Sequence, residues 1–223
     1  MEEEAFWLVF LSVHFGEHHK SKWNLLKTFY SGLNEGTWSW SKVTKANTNI
    51  RQWIDDNQET LRASGTFGNH RKYESLSAWT NSGLGEVILS YLEYIQHYGS
   101  HDKWKTKLSD GPKDSFQLFN DFYQNLKIHR FGRTAKFDLL CLLGKFDLLP
   151  IEPGSIYLNG ATGPFRGSGL LFEGTTKPQK SRKELEIMTY HLNEYLKLDF
   201  GMQVLEDALC NWQKKPSQYI HYK

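Results

Sequence analysis

Cysteine is scarce in this 223-residue chain: Cys141 and Cys210 stand alone and far apart. Two thiols cannot assemble a four-thiolate zinc or iron–sulfur site and make a poor disulfide scaffold, so a reducing cytoplasm is expected. Charge of one sign is also in short supply. The 27 Lys and Arg against 25 Asp and Glu leave a net charge of +2, which excludes a histone-like wrap and confines any nucleic-acid contact to a local patch. No apolar run reaches the roughly 18 residues of a membrane span, so no membrane partner is expected. The longest, Ala5 to Leu11, follows Glu2, Glu3 and Glu4, the opposite sign from the basic start of a secretory leader, and reads as a buried first helix. Walker loops, dinucleotide fingerprints and internal repeats are missing, and no cofactor is expected. His14 and His18 have ligand spacing beside Glu17, yet no third ligand follows, so no metal is expected.

What is present is a core. Hydrophobic residues make up 39% and aromatic residues 15% of the chain, enough for one folded domain over residues 1–223. Apolar spacing predicts helices over Glu3–His14, Ile50–Leu61, Gly85–Tyr98 (Ile88, Tyr91, Leu92, Ile95) and 116–126, the last capped by Asp114 or Ser115. Further helices are predicted from Thr134 to about Leu143, along Leu185, Met188, Leu192 and Tyr195, and along Leu205, Leu209 and Trp212. Strand signals are few, Gly154–Leu158 being the best. The reading is a mainly α protein with one long Gly/Pro-rich loop, about 149–180, which holds four of the six prolines. A loop of that length in a compact domain points to function.

Charge is unevenly placed. Residues 61–145 carry 12 basic and 8 acidic side chains, against 6 and 8 in residues 1–60 and 9 and 9 in residues 146–223. Lys127, His129, Arg130, Arg133 and Lys136 fall within ten residues that contain no acid, and Lys103, Lys105 and Lys107 alternate beside Trp104. A phosphate backbone is drawn to such a patch, which makes DNA the expected partner. Within it a helix ends near Ile128, Gly132 permits a tight turn, and Arg133 or Thr134 starts a helix whose first N–H groups face outward as an anion site. Two helices and a Gly turn, about 115–143, have the logic of a helix-hairpin-helix.

Phe131-Gly132-Arg133-Thr134-Ala135 resembles the Gly-rich hairpin, followed by Thr-Ala, of the helix-hairpin-helix DNA glycosylases. Those enzymes carry a catalytic aspartate roughly one helix and one loop later. The resemblance puts Glu152, within Leu149–Ser155, near that place, as a glutamate rather than an aspartate. Three longer strings, 68–75, 131–138 and 152–164, are similar to the alpha-glutamyl/putrescinyl thymine pyrophosphorylase clade 3 family. That family is regarded as glycosylase-like, is linked to hypermodified bases in phage DNA and includes bacterial members implicated in defence. The resemblance thus implies a glycosylase-like helical fold and nucleobase chemistry.

Breaking an N-glycosidic bond builds positive charge on the sugar, so a carboxylate that stabilises it and activates water is required. Asp138 and Glu152 are the candidates, with Lys136 as an alternative nucleophile forming a Schiff base. A flipped base needs an aromatic or apolar wall and an edge partner. Tyr157, Phe165 and Phe172 around Asn159 could supply them, and His70 belongs to a second wall. Arg71, Lys72, Arg130, Gly132, Arg133, Thr134 and Arg166 are the expected backbone contacts. The leading expectation is a monomeric, monofunctional DNA glycosylase that excises a hypermodified pyrimidine, foremost glucosylated 5-hydroxymethylcytosine, from phage DNA. The alternatives are a transferase that displaces pyrophosphate from an activated thymine, and a non-catalytic modified-base sensor.

Overall fold

The computed structural model describes residues 2–45 and 48–218. The described residues are mainly helical: α1 (Glu2–Phe15), α2 (Asn24–Tyr30), α3 (Trp40–Val43), α4 (Ile50–Asp56), α5 (Gln58–Ser64), α6 (Leu84–Tyr98), α7 (His101–Leu108), α8 (Ser115–Asn125), α9 (Arg133–Lys145), α10 (Thr162–Glu173), α11 (Arg182–Leu196) and α12 (Gly201–Trp212). Extended pairing among them is limited to isolated bridges, His18 with Lys22 and Ser75 with Gly83. The expected strand Gly154–Leu158 lies in coil. The chain divides into two compact units, each assembled from two stretches of sequence: residues up to 111 with 125–149, and 112–124 with 150 onward.

In the first unit α1 is the central element. Its residues Phe6, Trp7, Phe10, Leu11, His14 and Phe15 are all buried, because the helix is apolar nearly all round and must be covered on several sides. Phe10 stacks on Tyr91 of α6 with centroids 3.8 Å apart and lies 5.3 Å from Phe131. Phe15 lies 5.1 Å from Phe29 and 5.5 Å from Phe67. Truncating one such ring costs about 3–5 kcal/mol. The three leading glutamates also have structural tasks. Glu2 pairs with Lys105 at 3.3 Å. Glu3 accepts from the His101 ring at 2.6 Å, and the opposite ring nitrogen meets the Tyr91 hydroxyl at 2.7 Å. Glu4 accepts from the Tyr30 hydroxyl at 2.6 Å and from the Trp40 N–H at 2.8 Å, which caps α3. The helix expected over Ile50–Leu61 is two helices, because Asn57 ends α4, its amide donating to the Trp53 carbonyl at 2.8 Å, and starts α5.

The second unit packs Ile156, Leu158, Ala161, Leu185, Met202, Leu205 and Leu209 into one core. Asp114 caps α8, its Oδ1 accepting from the Gln117 N–H at 2.8 Å. Ser181 and Glu184 form a capping box at the start of α11. The largest departure from the sequence reading lies in residues 149–180, where the supposed loop contains α10. Its glycines are contact points between helices: a Cβ at Gly163 would meet the Cys210 sulfur at 2.6 Å, and one at Gly167 would run into the Leu209 carbonyl of α12. Small residues four apart on one face let two backbones approach, so a sequence that reads as turn-forming is helical once its partner is in place.

Candidate functional site

In the first unit, residues distant in sequence meet at one corner. The 3-10 turn Asn69–Arg71 lies beside the first turns of α9, and His70 Nδ1 is 4.0 Å from Asp138 Oδ2, with side chains 49% and 34% exposed. Thr134 and Asp138 are four apart on α9 and share a face. Gly132 is the N-cap of α9 with φ −73°, and a Cβ there would meet nothing within 4 Å. It is not the residue that makes the turn: the left-handed conformation belongs to Arg130, φ 59°. Neither backbone strain nor packing therefore requires glycine at 132, and its bare backbone lies open to solvent at the helix's positive end.

The basic residues of this corner divide into two sets. Arg71 is buried, and its donors are used internally: Nε to the His14 carbonyl at 3.3 Å, and one terminal nitrogen to His14 Nδ1 at 3.1 Å and to Glu74 at 3.4 Å. Arg130 turns back on the same carboxylate, Nε to Glu74 Oε2 at 2.9 Å. Glu74 thus ties the loop after α5 to the turn before α9, and Arg71 does not offer itself to a phosphate as the sequence suggested. Lys72 is exposed over the Tyr73 ring at 5.1 Å. The Arg133 guanidinium lies 5.1 Å from the Phe137 ring, and Thr134 is exposed. Burial first, and the Lys127 charge second, hold the Lys136 ammonium below the ordinary lysine range. His14 is buried against Arg71 and His18 is held by Ser21 at 3.0 Å, so the two do not form a ligand pair. Among the described residues no group of three or more His, Cys, Asp or Glu could hold a metal.

The second unit has a cleft of about 520 Å³ between α8, the segment 154–159 and α11. Tyr157 and Asn159 line it, together with Asn120, Asp121 and Glu186. Tyr157 has φ 47° and stacks on Tyr123 at 4.1 Å. Glu186 Oε1 fixes the segment by accepting from the Leu158 N–H at 2.6 Å and the Ser155 hydroxyl at 3.0 Å. An aromatic face, two asparagine amides and a carboxylate match the needs of a nucleobase edge. Glu186 and Asn120 were not foreseen, since single polar residues on amphipathic helices carry no spacing signal. The other expected wall residues sit elsewhere: Phe165 and Phe172 pack on the core, with Arg182 4.1 Å over the Phe165 ring. Of the glycines beside Asn159, Gly163 is filled by Cys210 of α12, whereas a Cβ at Gly160 would meet nothing within 4 Å. Glu152 accepts from the Phe200 N–H at 3.0 Å, at the start of α12, and Arg166 is exposed on α10. Asp138 and Glu152 lie in different units.

The family described as alpha-glutamyl/putrescinyl thymine pyrophosphorylase clade 3 matches the chain over residues 1–223. No curated protein and no solved structure matches it. None of the helices, among the described residues, is long and apolar enough to cross a membrane.

Proposed function

This chain belongs to the alpha-glutamyl/putrescinyl thymine pyrophosphorylase clade 3 family, and from that premise we propose that it is a DNA N-glycosylase acting on a hypermodified pyrimidine. The observation that carries the reading is the His70–Asp138 pair, 4.0 Å apart and open to solvent, beside the uncovered N-terminus of α9. In this scheme the helix N-terminus, Thr134, Arg133 and Lys72 take the phosphate backbone. Asp138 stabilises the cationic sugar and receives a proton from the attacking water. A C1′–O bond forms, the C1′–N bond breaks, and its electron pair leaves with the base, to which His70 can pass a proton. Lys136, with its depressed ammonium, is the alternative nucleophile at the same corner. Tyr157, Asn159 and Glu186 line a cleft of the second unit that is a separate candidate for holding a nucleobase. The substrate we put first is glucosylated 5-hydroxymethylcytosine in phage DNA, met by a monomer in antiviral defence.

The family name favours a second reading, a transferase in which an amine displaces pyrophosphate from an activated thymine in DNA and is joined to the base, leaving the glycosidic bond intact. One experiment separates them: incubation with glucosylated, hydroxymethylated, unmodified and pyrophosphate-activated thymine DNA in the presence of an amine, with base release, abasic sites and base adducts measured by mass spectrometry. Release from modified DNA supports the glycosylase. Pyrophosphate release from the activated DNA, with the amine joined to the base and the glycosidic bond intact, supports the transferase. Binding without either change supports a modified-base sensor.

A further inference from the structure

A cleft of about 620 Å³ in the first unit, to which neither Asp138 nor His70 contributes, is lined by His18, His19, Arg62 and Lys72 over an apolar floor that includes Phe67 and Leu76. Its acidic residue, Glu74, is already matched by Arg71 and Arg130, so the uncompensated charge in the cleft is positive. The rim is pinned rather than loose. Ser21 contacts His18 Nδ1 through its hydroxyl at 3.0 Å and donates its own N–H to the same nitrogen at 3.2 Å. An N–H can only donate, so Nδ1 is the acceptor and the neutral ring carries its proton on Nε2. The same Ser21 hydroxyl accepts from the Thr66 N–H at 3.4 Å, and a Cβ at Gly65 would meet it at 2.9 Å. One serine thus locks the loop after α1 to the loop after α5 and fixes the His18 ring donor in the cleft that Arg62 and Lys72 also line.

We propose that this cleft binds a nucleoside monophosphate unit, with its phosphate on His18, Arg62 and Lys72 and its base on the apolar floor. Cations alone would attract any polyanion, whereas cations over buried apolar surface select a phosphate that carries an aromatic body. The unit can be a free nucleotide or the phosphorylated end of a DNA strand, since the recognised chemistry is the same. The proposal shares Lys72 with the DNA path of the glycosylase reading but is independent of its chemistry, because it needs no bond to be cleaved.

Titration calorimetry of the full chain with thymidine 5′-monophosphate, thymidine and inorganic phosphate tests it. Saturable binding of the monophosphate is expected, with each fragment at least about tenfold weaker. Arg62→Gln, on an exposed residue of α5, should weaken the monophosphate about tenfold without moving the unfolding midpoint. Ser21→Ala, which keeps every cation, should weaken it several-fold by freeing the rim, and Asp138→Asn should leave it unchanged. A 5′-phosphorylated oligonucleotide that competes better than its unphosphorylated twin identifies the strand end as the source, and equal competition identifies the free nucleotide. No saturable binding, thymidine as tight as its phosphate, or an Arg62→Gln protein that binds like the parent overturns the proposal.

Discussion

Arg71 donates to His14 Nδ1 at 3.1 Å, and His14 Nε2 is buried with no hydrogen-bond partner. A guanidinium has no acceptor atom, so the only proton on the His14 ring is on Nε2, and a second would face the positive charge of Arg71. Burial first, then Arg71 and Arg130, push His14 well below the ordinary histidine value of 6.5. His101 is pushed in the same direction, chiefly by burial.

Acid should therefore destabilise the first unit before any carboxylate is titrated. Below about pH 6.5 the unfolded chain takes up protons on these two histidines while the native state does not, so stability falls as pH falls, by up to about 1.4 kcal/mol per pH unit for each. Urea unfolding at pH 7.5, 6.5 and 5.5 measures it, and His14→Gln should flatten the slope. A stability unchanged over this range would remove His14 and His101 as neutral buried groups.

Asp138→Asn should lower base release from modified DNA about a hundredfold or more with little change in DNA affinity, because it removes the acceptor of the water proton and keeps the shape. His70→Gln should cost about tenfold. Borohydride should trap no covalent adduct; trapping that is lost in Lys136→Gln would instead assign the attack to the lysine.

Backbone contacts can be counted by salt. Arg133→Gln and Lys72→Gln should each reduce the slope of log affinity against log salt by about 1, while Arg71→Gln should act on stability, since its guanidinium is buried. Fluorescence anisotropy at several salt concentrations provides the slopes, and unchanged slopes in both of the first two variants would move the DNA path away from α9.

Two glycines should respond in opposite ways. Gly167→Ala drives a methyl into the Leu209 carbonyl and should cost about 1–3 kcal/mol in thermal unfolding. Gly132→Ala meets nothing within 4 Å, should cost less than about 1 kcal/mol, and should weaken DNA binding by keeping a phosphate off the helix end.

The sequence was readable where one periodicity ruled. Ile88, Tyr91, Leu92 and Ile95 announced α6, and Leu205 and Leu209 announced α12, because a single apolar stripe fixes both helix and face. α10 was unreadable for the converse reason: Gly163, Pro164, Gly167 and Gly169 all signal turns, and their helical use depends on α12 arriving in contact, which no local window contains. The corner of His70 and Asp138 was half legible. Both residues were singled out on chemistry, but that they adjoin depends on Glu74 drawing Arg71 and Arg130 together, and a lone glutamate beside a basic triplet gives no sign of this. Glu186 was invisible, as one polar position among several on α11.

Each unit is completed by a segment from the other side of the chain: residues 112–124 join those after 150, and 125–149 return to the first 111. A fragment ending near residue 149 holds all of the first unit but carries 112–124 without the rest of the second, and one starting at 112 holds all of the second unit but carries 125–149 without the rest of the first. During synthesis the first unit must wait for α9 to leave the ribosome, and α8 waits longer still, for the segment 152–157 that meets it at Ser115, Phe116 and Phe119.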